Sequence, residues 1–127
     1  MGNQNRRLRY SFRLYVLSDG KRVLGKGGAQ ILNAIDRLGS LSAAADELKM
    51  SYRFVWRYVR RIEDRLGSPV VVTRRGGTPH VSGKGGGGAD LTPVAKTLLK
   101  GYVVMEKRLQ KEISSVGPKP LLRSRRC

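Results

Sequence analysis

Cysteine is all but missing: the single one, Cys127, is the last residue. One thiol closes no bridge within a chain and builds no cysteine-based zinc site, so neither disulfides nor zinc hold this fold. It reads as an incidental thiol. Histidine is as scarce, and His80 stands in a glycine-rich stretch with no cysteine or paired carboxylates near it in sequence. That leaves no metal-ligand cluster and no acid–base pair, so the chain is not read as an enzyme and no cofactor is expected. Acidic residues number only 9 against 26 Lys and Arg, a formal net charge of +17. Small soluble domains usually carry a magnitude of roughly 2–8. The excess implies a polyanionic partner, either nucleic acid or an acidic membrane surface. No apolar run approaches the roughly 20 residues that span a bilayer. The basic amino terminus, MGNQNRRLRY, is not followed by the apolar stretch of a secretory signal. The expectation is a cytoplasmic, nucleoid-associated protein of a prokaryote. Aromatics make up 6% and apolar residues 39% of 127 residues, enough for one compact, mainly helical core.

Along the chain, Tyr10, Phe12, Leu14 and Val16 alternate with Ser11, Arg13 and Tyr15, the period of a half-buried strand. Asp19-Gly20 is a two-residue hairpin signal, and Val23 and Leu24 begin a short return strand. An amphipathic helix follows from about Gly28, with Ile31, Leu32, Ile35 and Leu38 on one side and Gly39 as its stop. Ser40 or Ser42 caps a short helix, Leu41–Lys49; Ser51 caps a longer one that reaches Leu66 and ends at Gly67. The β-branched run Val70–Thr73 predicts a strand, and Ala89-Asp90-Leu91 its return. Between them, residues 76–88 hold seven glycines. Thr92-Pro93 is a cap followed by proline at the first helical position, which predicts a long helix over 93–113. The chain divides into a basic flexible arm (1–9), one domain (10–113) and a basic tail (114–127) expected to be disordered.

The third helix carries most of the chemistry. At about 100° per residue, Val55, Tyr58, Val59, Ile62 and Leu66 share one face, and Arg53, Trp56, Arg57, Arg60 and Asp64 the other. Three guanidiniums gathered on one helix face repel one another, which suits contact with phosphates and bases better than solvation alone. Leu41–Arg60 fits a helix-turn-helix: Ala45 is the small residue at the helix crossing, and Leu48 and Met50 bracket the turn. In that frame Ser51, Tyr52, Arg53, Trp56, Arg57 and Arg60 are the candidate contacts to double-stranded DNA, in a major groove about 12 Å wide. Lys49 stands where the turn often has Gly, and a left-handed conformation there costs roughly 1–2 kcal/mol.

Gly83, Gly85 and Gly88 satisfy G-x-G-x-x-G, but no strand–turn–helix frames them, so a nucleotide site is not inferred. The stretch reads instead as a wing, with Arg74, Arg75 and Lys84 laid on the phosphate backbone or in the minor groove. In the last helix Leu98, Tyr102, Met105 and Leu109 recur at heptad-like spacing, widened by Val94, Ala95, Val103 and Ile113. So wide a seam exceeds what one small domain covers, and a homodimer through this helix is expected.

GSLSAAADELKMSYRFVWRYVRRIEDRLGSP, residues 39–69, resembles the helix-turn-helix of LysR-type regulators. Met50-Ser51-Tyr52-Arg53, Trp56 and GKGGGGADLTP at 83–93 are closer to the amino-terminal domain of ModE-type, molybdate-dependent regulators. The similarity covers roughly residues 10–113. It implies a winged helix-turn-helix that is mainly α with small β, an amino-terminal β-hairpin and a long carboxyl-terminal dimerisation helix. Full-length members bind molybdate in carboxyl-terminal domains; with 14 residues after Ile113, a stand-alone DNA binder is expected. The function read from the sequence is a dimeric transcription regulator. The alternative is an abundant architectural protein that coats DNA with little sequence preference, since phosphate contacts give affinity without specificity.

Overall fold

The computed structural model describes residues 8–74 and 87–116. The elements are β1 (Val16–Ser18), β2 (Lys21–Leu24), α1 (Lys26–Leu38), α2 (Leu41–Leu48), α3 (Tyr52–Leu66), β3 (Val71–Arg74), β4 (Gly88–Leu91) and α4 (Pro93–Val116). This is a winged helix-turn-helix preceded by a hairpin. β1 and β2 pair antiparallel around Asp19 and Gly20, at φ 50° and 78°. Two successive left-handed residues are what a type I′ turn requires, and Asp-Gly supplies them at low cost.

α1 is the hub: it touches α2, α3, α4, β2 and β4. Its Ile31, Leu32, Ala34 and Ile35 are fully buried, as are Ala44 of α2, Val55 and Val59 of α3, and Ala95 of α4. Burying each large aliphatic chain is worth roughly 1.5–3 kcal/mol, so this cluster sets how the helices are held. α1 and α3 end on left-handed glycines, Gly39 and Gly67, whose N–H groups return to Ile35 and Glu63 carbonyls. The hairpin β3–β4 runs in register from Val71↔Leu91 to Arg74↔Gly88, and the Ala89 N–H donates to the Gly39 carbonyl at 2.9 Å, tying β4 to the α1–α2 corner. Thr92 starts α4: its Oγ1 accepts from the Ala95 N–H at 3.3 Å and its hydroxyl donates to the Pro69 carbonyl at 2.8 Å.

Three expectations change. The alternation over Tyr10–Val16 becomes a strand only from Val16, because β2 offers just four residues to pair with. The preceding residues form no strand, and Tyr10–Tyr15 line a groove together with Tyr102, Glu106 and Gln110 of α4. α4 runs past residue 113 to Val116, so Ser114–Val116 belong to the helix rather than to the expected tail; residues 117–127 lie outside the described residues, as does the arm through residue 7. Tyr102, placed on the dimer seam by spacing, is buried inside its own domain. Its hydroxyl donates to the Leu14 carbonyl at 3.3 Å, and burial, with Glu106 and Tyr15 nearby, pushes the phenol's pKa up and keeps it a donor.

Candidate nucleic-acid interface

α2 is short because both of its ends are fixed. Ser40, not Ser42, caps it, its Oγ accepting from the Ala43 N–H at 3.0 Å. At the other end Lys49 is left-handed (φ 58°, ψ 43°), so the turn geometry is present without its usual glycine. The Met50 N–H donates to the Ala45 carbonyl at 2.9 Å and closes the corner. Two residues later Ser51 Oγ accepts from the Phe54 N–H at 3.0 Å and starts α3. Two fixed caps around a three-residue turn set the angle between α2 and α3, and Ala44 and Ala45, both buried, let the helices approach closely.

α3 sorts its side chains as its sequence requires. Val55, Val59 and Ile62 are buried on the core side. Tyr52, Arg53, Arg57 and Arg60 are exposed, and Ser51 is exposed at the cap. Among the described residues no ion pair involves Arg53 or Arg57. Arg60 differs: its Nη1 lies 3.5 Å from Glu63 Oε1, and its guanidinium sits 5.3 Å from the centroid of the Trp56 ring. Trp56 is half-buried and packed against the core, so it shares its surface between the fold and the outer face. The arginine row is therefore two unpartnered cations in the first turns and a partnered one behind them.

Two residues of this face escape a reading of the arginine row alone. Phe54 is 46% exposed, and Arg61 lies over the Tyr58 ring at 5.3 Å. At about 100° per residue both fall within roughly 60° of Arg57, and that angle was the available signal.

Glu63 joins the helix to the wing. Its Oε2 accepts from the Val70 N–H at 2.9 Å and the Val71 N–H at 3.3 Å, so the chain leaves α3 and enters β3 on a charge-assisted clamp. At the end of the stem Arg74 folds back on its own hairpin. Its Nε donates to Asp90 Oδ2 at 2.9 Å across the two strands, and its guanidinium covers Gly88 so closely that a methyl group there would collide with it. Arg75 and Lys84, the other two wing candidates, lie outside the described residues.

α4 divides in two. Ala95, Leu99 and Tyr102 are buried and Leu98 packs against the core. Beyond them Leu109 and Ile113 are half-buried, while Val103, Val104, Met105 and Val116 are exposed, Met105 at 47%. Of the expected seam, Met105 and Leu109 therefore remain outward, and Leu98 only in part. Among the described residues no helix is long and apolar enough to cross a membrane, and no group of three or more His, Cys, Asp or Glu could hold a metal ion.

The sequence has known relatives. Residues 28–85 match the family described as bacterial regulatory helix-turn-helix protein, lysR family. The matched segment is similar to the helix-turn-helix of that family. Over 92 residues, 72% of this chain, the sequence is 39% identical to the molybdenum-pterin-binding protein MopB of Rhodobacter capsulatus, and it is 29% identical over 90 residues to MopA of the same organism. The chain spans about a third of the length of these relatives, 32% in each case. Among solved structures it is similar to ArgP from Mycobacterium tuberculosis, with a TM-score of 0.47, 21% identity, and coverage of 68% of this chain and 29% of that one. The matched segment holds most of α1, then α2, α3 and β3, with the turn at Lys49 between its two central helices.

Proposed function

We propose that the chain is a dimeric transcription regulator that reads the major groove with the amino-terminal half of α3. One observation carries this reading. Inside a LysR-type helix-turn-helix, the first turns of α3 present Arg53 and Arg57 outward with no ion-pair partner among the described residues, while the same helix buries Val55, Val59 and Ile62. Arginine bonds guanine O6 and N7 bidentately, and a cation held without a carboxylate is free to do so. Tyr52 and Ser51 flank these arginines, and Trp56 with Arg60 forms the back of the face. The wing contacts phosphates or the minor groove through Arg75 and Lys84. The basic ends, with Arg6, Arg7 and Arg9 and then Lys119, Arg123, Arg125 and Arg126 in sequence, add phosphate contacts. The work is done in the cytoplasm, on the nucleoid.

Dimerisation uses the outward half of α4, where this domain leaves Met105 and Val103 exposed and covers Leu109 and Ile113 only in part. A two-fold pair would then set two α3 helices about one turn of DNA apart. Leu109→Asp is expected to give a folded monomer with much weaker DNA binding, read by sedimentation at micromolar concentration. A wild-type monomer there overturns the two-site arrangement.

The net charge of +17 favours a second reading, a protein that coats DNA with little regard to sequence. The ratio of affinity for a selected site to that for random DNA, at fixed salt, separates the two. A regulator should exceed roughly 10³, a coating protein should not.

A further inference from the structure

Beside the arginines, α3 carries an exposed aromatic ring with no evident use in the fold. Phe54 is 46% exposed and lies one turn before Arg57, about 60° round the helix from it. Such a ring on a helix surface leaves apolar area in water, yet it is not loosely held. Its N–H is bound by the Ser51 hydroxyl at 3.0 Å, which fixes where the side chain leaves the backbone. Its ring meets that of Tyr58 edge-on, with centroids 5.8 Å apart and planes at 75°. Tyr58 is fixed in turn from the core side. A methyl at Gly27 would come within 3.3 Å of the Tyr58 hydroxyl, and one at Gly28 within 3.4 Å of its Cε1, so two glycines of α1 make the seat for this ring. The Arg61 guanidinium lies over the same ring at 5.3 Å. Gly27, Tyr58 and Phe54 thus form a supported line from α1 to the outer face, and a ring already held loses little rotamer freedom on contact.

We propose that Phe54 is a specificity-determining residue that reads the 5-methyl group of a thymine next to the base pair met by Arg57. This rests on the reading of α3 as the groove-reading helix. In the major groove only thymine displays a methyl group, and a phenyl ring is an apolar partner for it. Arginine addresses guanine instead, so the arginines alone leave A·T positions unread. Phe54 supplies the missing apolar contact from the same two turns of helix.

Sites selected by the wild type from a randomised duplex pool are resynthesised with deoxyuridine in place of each thymidine in turn, which deletes one methyl and leaves the base pairing intact. At one position the substitution is expected to weaken wild-type binding about fourfold, the effect of one buried methyl-sized group. Phe54→Ala should bind the two duplexes equally, and in its own selection keep the guanines while losing that thymine. Phe54→Leu, which keeps an apolar side chain, should retain the sensitivity to uracil, and Tyr58→Leu should lower it by loosening the ring. If both wild type and Phe54→Ala enrich sites but no uracil duplex distinguishes them, the assignment of Phe54 is wrong while the groove-reading helix stands. If the wild type enriches no site at all, both readings fall together.

Discussion

Arginine appears in two settings in this domain, and the contrast between them separates a contact surface from a structural one. In the first turns of α3, Arg53 and Arg57 point outward from a helix whose other face is buried, and neither is held by a carboxylate among the described residues. At the wing stem Arg74 is equally exposed, but it lies across Gly88 with its Nε on Asp90. The first pair must find its anions elsewhere. The second already has one, and displacing it would cost whatever the pair contributes, roughly 0–1 kcal/mol at an exposed site. A charge of +17 therefore does not distribute evenly into function. What matters is which cations the fold leaves unpaired and how rigidly it aims them.

The largest expected effect breaks the joint between these two regions. Glu63 bonds two backbone N–H groups at the start of β3 and also faces Arg60. Its side chain is only 16% exposed. Glu63→Ala would leave two N–H groups without a partner, at about 1–3 kcal/mol of fold stability for each, read as a lower urea midpoint with an unchanged slope. The same substitution frees Arg60, so binding to random DNA by the folded fraction should hold or rise. A fall in that binding with no loss of stability would mean that Glu63 serves the interface and not the joint.

A smaller effect sharpens the contrast itself. Arg53→Ala and Arg57→Ala should each weaken binding to a selected site by about 1–3 kcal/mol and relax its sequence preference, with the melting temperature barely moved. Arg74→Ala should change affinity less, and by the same factor on selected and random duplexes, because its guanidinium is already engaged by Asp90. Titration of the three variants against both duplexes at two salt concentrations makes the comparison. Equal losses for Arg57 and Arg74 on the selected site would erase the distinction between unpaired and paired arginines.

Much of this was legible before any coordinates. Ser51, Gly39, Gly67, Thr92-Pro93 and Asp19-Gly20 are local signals whose hydrogen bonds or dihedrals depend on a few neighbouring residues, and each marks the boundary it predicted. Face assignment in α3 also followed, since Val55, Val59 and Ile62 at helical spacing need only a core to dock on. The misreadings share a different cause: periodicity reports that a face is covered, not what covers it. Tyr10–Tyr15 lines a groove against α4, and strand pairing begins only at Val16. Tyr102 sits in the heptad-like row with Met105 and Leu109, yet its cover is its own domain. Arg60 looked as free as Arg57, because Glu63 three residues on was not counted as a partner. Phe54 was overlooked for a related reason. Sorting the helix by charge leaves no place for an exposed apolar ring, although its angle beside Arg57 was available.

The smallest expected effect concerns another paired arginine, on α1 rather than α3. Arg37 near the end of α1 and Glu47 near the end of α2 form an ion pair between exposed side chains. The hydrogen bond from Arg37 holds the Glu47 carboxyl below its ordinary value. A depressed carboxylate pKa means that protons bind the unfolded chain more readily, so the pair stabilises the fold above the ordinary glutamate value of about 4.3. That contribution fades as pH falls through the folded value. Both groups are exposed, so solvent and salt screen most of the interaction. Glu47→Gln should thus lower the melting temperature at pH 7 and low salt by only on the order of a degree. The difference from wild type should be smaller at pH 3 than at pH 7, because the unfolded carboxyl is then largely protonated and the contribution is being lost. DNA binding should be unaffected, because the pair braces α1 against α2 and leaves α3 where it is. Melting curves at pH 7 and pH 3 decide the matter. A gap that persists undiminished at the lower pH would mean that Glu47 acts through packing or through the α2 terminus, not through its charge opposite Arg37.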